Sequence, residues 1–182
     1  ALGNVLEICT REQADNQDET GGVERNADRR TEIETLFQQW SSQGYRVLGV
    51  AVKLVTHQDP PYSRQDESGM LFAGFLLFFD PPKPGIKDTI QALAKLGVSL
   101  KIITGDNHLV ARHTAEAVGL GSTTILTGVD LDNLHDEALW HTAEHTTIFA
   151  EVDPNQKERI ILALKKLGHV VGYMGDGIND AP

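Results

Sequence analysis

Cysteine is almost absent: Cys9 is the sole one in 182 residues. That excludes an internal disulfide and any multi-cysteine zinc site, and it points to a reducing compartment. Long apolar runs are also missing. The longest, Met70 to Phe79, stops at Asp80, well short of the about 20 residues of a membrane helix. Basic charge is scarce, with 16 Lys and Arg against 26 Asp and Glu and a net charge of −10. That balance argues against broad, sequence-independent nucleic-acid binding, which needs clustered Lys and Arg. The first residues, Ala-Leu-Gly-Asn-Val-Leu-Glu, lack the basic flank and apolar core of a signal peptide. There is no initiating Met, and the last residues follow directly on a glycine-rich loop, so a fragment of a longer chain is expected. What is present is a globular composition, 40% hydrophobic and 23% charged, large enough for one or two domains.

Residues 1–9 place Leu2, Val5, Leu6, Ile8 and Cys9 on roughly one helical face. Residues 10–30 are polar, without periodicity, and read as a loop. Thr31-Glu-Ile-Glu34 has the capping-box pattern and opens a helix with Ile33, Leu36, Phe37 and Trp40 on one side. Tyr45 to Val55 reads as a strand, 56–68 as a loop, and Met70 to Phe79 as a strand buried on both faces.

The pattern changes at Asp80-Pro-Pro-Lys-Pro84, where three prolines in four residues interrupt any strand or helix interior. This segment is the expected hinge between two domains. After it, strands and helices alternate. Pro84 opens a helix closed by Gly97, and Val98 to Ile103 is a strand. A helix over 107–118, a strand over 123–126, a helix over 132–144 and a strand over 146–150 follow. Pro154 opens a helix to Leu167, and His169 to Met174 is the last strand. Repeated strand–helix units predict a parallel sheet covered on both faces.

In such a sheet, ligands bind beyond the carboxyl ends of the strands. Three polar groups fall there. Thr104-Gly105-Asp106 offers a hydroxyl and a glycine N–H to a phosphate. In Asp153-Pro-Asn-Gln-Lys157, a lysine stands in the first turn of a helix, where the dipole disfavours a cation and a nearby anion would explain it. Gly175-Asp176-Gly177-Ile178-Asn179-Asp180 spaces two carboxylates four apart, suiting a hard cation such as Mg²⁺ that holds a phosphoryl group. Each alone is an ordinary turn or cap; together they read as one phosphoryl-handling site.

These three elements resemble the signature set of P-type cation-transporting ATPases. Asp80-Pro-Pro-Lys83 resembles that family's hinge motif, Arg46 its nucleotide-domain arginine, and Ala1 the last residue of its Lys-Gly-Ala motif. The wording Lys-Ile-Ile-Thr-Gly-Asp-Asn and His-Val-Val-Gly-Tyr-Met-Gly-Asp-Gly-Ile-Asn-Asp-Ala-Pro is most similar to the magnesium-transporting subgroup. The resemblance implies an α/β fold. Residues 83–182 would be a phosphorylation domain with a Rossmann-like parallel sheet of the haloacid-dehalogenase type. Residues 1–82 would be the C-terminal part of an α+β nucleotide-binding domain. It implies ATP and Mg²⁺ as cofactors, and the transported cation and the pump's other domains as partners. The parent would sit in a membrane, with this fragment on the cytoplasmic side and itself touching no membrane.

The roles implied are specific. Arg46 would contact the ATP phosphates, and Asp80 would lie at the nucleotide-side hinge. Thr104, Gly105 and Asp106 would hold the transferred phosphoryl group and nucleotide, and Lys157 would neutralise its developing charge. Asp176 would hold the catalytic Mg²⁺, with Asn179 and Asp180 completing the site. The sequence also departs from the family. It has no Asp-Lys-Thr-Gly nucleophile string, no actuator Thr-Gly-Glu, no membrane helices and no first half of the nucleotide domain. The fragment alone is therefore expected to be inactive, and Glu151 stands where many members carry Arg. The alternatives are a soluble phosphatase of the haloacid-dehalogenase fold and a non-catalytic nucleotide- or Mg²⁺-binding module.

Other polar patterns read as structural. Asp130-Leu-Asp132-Asn133 mimics a phosphatase nucleophile but is expected to be a loop and helix cap. His141-Thr-Ala-Glu-His145 mimics a zinc motif but reads as solvated histidines. Cys9, Trp40 and the set Phe72, Phe75 and Phe78 read as core.

Overall fold

A computed structural model describes residues 2–13, 22–24, 27–55, 62–121 and 124–175. The chain forms two compact units, Ala1–Ser41 with Tyr45–Phe79, and Ser42–Gly44 with Asp80–Pro182.

In the first unit, helix α1 (Leu2–Ile8) leads into strand β1 (Cys9–Gln13), followed by β2 (Gly22–Glu24), α2 (Ala27–Ser42), β3 (Arg46–Val52) and β4 (Met70–Phe78). The sheet order is β2-β1-β4-β3, with β1 parallel to β4 and the other pairs antiparallel. The core joins Leu2, Leu6, Cys9, Ile33 and Phe72, with Phe75 packed against it. Trp40 and Phe72 both meet Phe75 edge-on, at ring distances of 5.3 and 5.2 Å. Gly49 lets this layer close, since a Cβ there would lie 3.2 Å from Leu2.

The sequence reading is corrected here at three points. Residues 10–30 are not all loop, because β1 gains a ladder partner in β4 that its polar sequence does not announce. Helix α2 begins at Ala27, not Thr31; Thr31 lies inside it and its carbonyl accepts from the Thr35 hydroxyl at 2.7 Å. Strand β4 is buried only in its first half, and Leu76, Leu77 and Phe78 are exposed. Phe78 is therefore not core. It pairs with Arg46 at the far end of the β3–β4 ladder.

The second unit holds α3 (Ile86–Lys95), β5 (Ile102–Ile103), α4 (His108–Ala117), β6 (Ile125–Thr127), α5 (Gly128–Asp132), α6 (Asp136–His145), β7 (Ile148–Ala150) and α7 (Pro154–Lys166). Its sheet is parallel, with the order β5-β7-β6. Strand β7 is fully buried, as a central parallel strand must be. Phe149 enters a core with Leu131, Leu139 and Ile160, while Ile148 and Ala150 pack with Ala111 and Ala115 of α4.

Capping residues start the helices. Asn107 accepts from Leu109 N–H at α4, and Asp153 with Gln156 forms a capping box at α7, with Pro154 in the first turn. Pro84 does not open α3. It lies in a turn, and Gly85 takes the cap position at φ 81°, which glycine adopts without strain. The strand over 98–103 shrinks to Ile102–Ile103; the helix expected over 132–144 starts later, as α6, and α5 precedes it where no helix was expected. Residues 169–174 form no strand. Val170 and Met174 are almost fully exposed, and β-branched residues hold a strand only where a neighbouring strand pairs with them. No helix among the described residues is long and apolar enough to cross a membrane.

Candidate functional site

Three parallel strands point their C-terminal ends the same way, so the residues following them gather at one edge. β5 delivers Thr104, Gly105 and Asp106; β7 delivers Glu151, Val152 and Asp153; β6 delivers Gly128. Backbone hydrogen bonds stitch the first two together. Thr104 N–H donates to the Phe149 carbonyl at 2.9 Å, Val152 N–H to the Thr104 carbonyl at 3.2 Å, and Glu151 N–H to the Asp106 carbonyl at 3.0 Å.

The Thr104 hydroxyl oxygen accepts from Asp106 N–H at 3.0 Å, closing a tight turn around Gly105. A hydroxyl that accepts one bond still has its hydrogen to donate. Among the described residues, the Gly105 N–H donates to nothing. Gly105 is exposed, and a Cβ there would meet only the Val152 carbonyl oxygen, at 3.5 Å. The turn therefore offers donors at an open face, as a phosphoryl group requires. Asp106 and Lys157 are half-buried, the lysine in the first turn of α7.

A second set of contacts braces the exits of β6 and β7. The Gln156 side chain is buried. Its amide nitrogen donates to the Gly128 carbonyl at 3.0 Å and to Asp132 Oδ1 at 2.7 Å, and its oxygen accepts from Asp153 N–H at 3.1 Å. Asp130 accepts from both the hydroxyl and the N–H of Thr127, at 2.7 and 2.8 Å. Those bonds hold its carboxyl below the usual range. Asp130 and Asp132 are thus tied into the start of α5 and the brace. They lie in a helix rather than a loop, and the cap part of the reading holds, since Asp130 closes the capping box at Thr127. Lys101, before β5, donates to the carbonyls of Glu144 and Thr146 at 2.8 and 2.6 Å. Burial pushes its ammonium down, partly offset by the Glu144 charge.

Of the residues singled out from sequence, Thr104, Gly105, Asp106 and Lys157 belong to the second unit. Asp80 follows β4 and is exposed. Arg46 opens β3 in the first unit, on a sheet face shared with the exposed Leu48, Leu76 and Phe78. Asp176, Asn179 and Asp180 lie outside the described residues, as does Ala1. Sequence reasoning gave no role to Gln156 or Gly128, and it noted Glu151 only as standing where many members carry Arg. The Asp-x-x-Gln spacing of a capping box was a usable signal for Gln156; nothing local marked Gly128 or the left-handed backbone of Glu151.

Comparison with known proteins agrees with this architecture. The family model for haloacid dehalogenase-like hydrolases matches residues 49–182, and that for the P-type ATPase cytoplasmic domain N matches residues 1–85. The chain belongs to the haloacid dehalogenase-like hydrolases, and its first 85 residues are similar to the P-type ATPase cytoplasmic domain N. It is 40% identical, over its whole length and 20% of the relative's, to magnesium-transporting ATPase, P-type 1, of Salmonella typhimurium (strain 14028s / SGSC 2262). The protein of the same name from Escherichia coli (strain K12) is 43% identical over 82% of this chain and 17% of its own length. Calcium-transporting ATPase 1 of Saccharomyces cerevisiae (strain ATCC 204508 / S288c) is 35% identical over 78% of the chain and 15% of its own length. The chain spans about a fifth of the length of the relatives it matches.

Proposed function

We propose that this chain is the nucleotide- and phosphoryl-handling portion of an ATP-driven P-type cation pump, magnesium-transporting in kind. It would lie on the cytoplasmic side of a membrane that holds the rest of the pump. The observation that carries the reading is the turn Thr104–Asp106, with an exposed glycine N–H and a threonine hydroxyl at the mouth of a parallel sheet. Phosphoryl transfer depends on positioning and charge compensation, and such a turn supplies both without covalent chemistry of its own. Lys157 would balance the developing charge. The nucleophilic Asp would come from a first strand outside this chain.

The sheet face around Arg46 supports the nucleotide part. Exposed Leu48, Leu76 and Phe78 suit a base, and a guanidinium on the same face suits phosphates. Mg²⁺ fits the donor chemistry of Asp176 and Asp180, two hard oxygen ligands, with Asn179 beside them; when bound, it neutralises phosphoryl charge. Asp80-Pro-Pro-Lys-Pro84 would hinge the nucleotide-bearing residues 1–82 against 83–182. Separate buried clusters in the two units support that.

The test is a titration of the 182-residue chain with Mg²⁺ and β,γ-methylene-ATP, followed by amide NMR. The Gly105 and Asp106 amides should shift, and Arg46→Ala or Thr104→Ala should weaken binding by about tenfold. No shift at Gly105, or equal binding in both variants, overturns the reading.

A further inference from the structure

Glu151 is the one non-glycine residue among those described with a positive φ, 59°. This left-handed backbone region favours glycine, and another side chain persists there only where its surroundings over-determine it. Here they do. The Glu151 N–H donates to the Asp106 carbonyl at 3.0 Å. Its carboxylate accepts from the His108 backbone N–H at 3.1 Å and lies 2.7 Å from His108 Nδ1. A carboxylate only accepts, so Nδ1 is the donor in that second bond. One residue on, Val152 N–H reaches the Thr104 carbonyl at 3.2 Å. The exit of β7 thus grips the chain on both sides of Gly105 and leaves Gly105 itself untouched.

Glycine would take this φ without strain but has no side chain to reach His108. The carboxylate supplies the contacts to His108 that glycine would lack. It occupies the first free N–H of α4, while Asn107 accepts from the next, Leu109, at 2.8 Å. The N–H groups of His108 and Leu109 at the start of the helix are then both held.

We infer that Glu151 is a positioning residue for the turn Thr104–Asp106. With His108 it forms a clamp that fixes the start of α4, so that the Gly105 N–H and the Thr104 hydroxyl keep a single direction toward a phosphoryl group. The inference rests on the reading of that turn as phosphoryl-binding; the clamp itself is measurable without nucleotide.

The experiment uses the 182-residue chain as wild type, Glu151→Gly, Glu151→Gln and His108→Ala. Without nucleotide, native-state hydrogen exchange at the His108 amide should quicken by about tenfold or more in Glu151→Gly. The melting temperature should hold or rise, because glycine relieves the backbone. Glu151→Gln, whose amide oxygen still accepts, should restore most of that protection, and His108→Ala should leave it partly intact. With Mg²⁺ and β,γ-methylene-ATP, Glu151→Gly should bind several-fold more weakly than wild type. A merely structural residue would instead lose melting temperature and speed exchange at Ile148 and Phe149 as well. That pattern, or an unchanged His108 amide in Glu151→Gly, overturns the clamp. So does wild-type nucleotide affinity in Glu151→Gly. Failure of wild type to bind nucleotide at Gly105 sinks the phosphoryl reading instead, and the exchange data still decide the clamp.

Discussion

A Cβ on Gly128 would lie 2.5 Å from the carbonyl oxygen of Glu151 and 2.8 Å from Gln156 Oε1. The start of α5 therefore rests directly on the backbone leaving β7. Neither neighbour gives easily, since one is backbone and the other is held by the Asp153 N–H. Gly128→Ala should destabilise the chain by about 1–3 kcal/mol through overpacking. A urea midpoint equal to wild type would show that α5 can slide.

Gly105 should behave in the opposite way. Its Cβ would make only ordinary contact, 3.5 Å from Val152 O. Gly105→Ala should change stability by less than about 0.5 kcal/mol yet weaken binding of Mg²⁺ with β,γ-methylene-ATP by about tenfold. Thermal melting and calorimetric titration of the same sample separate the two effects. A variant that melts early, or one that binds as wild type does, contradicts the expectation.

Arg159 joins α7 to the end of α5. Nη1 donates to the Leu131 carbonyl at 2.7 Å, Nη2 to that of Leu134, and Nε to Asp136 Oδ1 at 2.9 Å. A lysine ammonium cannot reach all three in a plane. Arg159→Lys should cost about 1 kcal/mol. Asp136 is exposed, so Asp136→Ala alone should cost no more than about 0.5 kcal/mol. Chemical denaturation of both variants checks the ranking, and the reverse order would place the stabilisation in the ion pair.

Acid sensitivity follows from Asp130. The Thr127 hydroxyl, then the Thr127 N–H, hold its carboxyl below the ordinary value of 3.8. Between the lowered folded value and the unfolded one, the unfolded chain binds more protons, so stability rises with pH there. The contribution is complete above the unfolded value and is lost as pH falls through the folded one. Asp66, lowered by Ser63 N–H and hydroxyl bonds and by Lys53, acts in the same direction. Asp130→Asn should flatten part of the acid limb in melting temperature against pH and leave the neutral range little changed. Thr127→Ala should cost about 1 kcal/mol at neutral pH, as the loss of a helix cap does. An acid limb identical in Asp130→Asn and wild type would remove Asp130 from it.

Much of this fold is legible along the chain. Helix α7 announces itself through Asp153, Pro154 and the lysines of its last turn, and α4 through Asn107. These are local effects, in which a few neighbouring residues satisfy the exposed N–H groups of a helix end. The alternation of strands with helices predicts the parallel sheet for the same reason, since hydrophobic period reports which face is covered. The Thr104–Asp106 turn is visible because a strand followed by Thr-Gly-Asp leaves few other conformations.

Contacts distant in sequence escaped that reading. The polar β1 is a strand only because β4 lies beside it, and the apolar segment 169–174 is not one because no described strand pairs with it. The exposed half of β4 carries the same residue types as its buried half. What differs is the helix cover above it, which a sequence pattern does not contain. Glu151 is the sharpest case. Nothing local asks for a left-handed glutamate, and its conformation is set by Asp106 and His108, 45 and 43 residues earlier. The sequence by itself determined the helix ends, the strand–helix alternation and the chemistry at the strand ends, because those depend on neighbours along the chain. Only the tertiary structure decided which strands pair, which faces stay bare and which side chains brace the turn, because those energies come from groups that meet only when the chain folds.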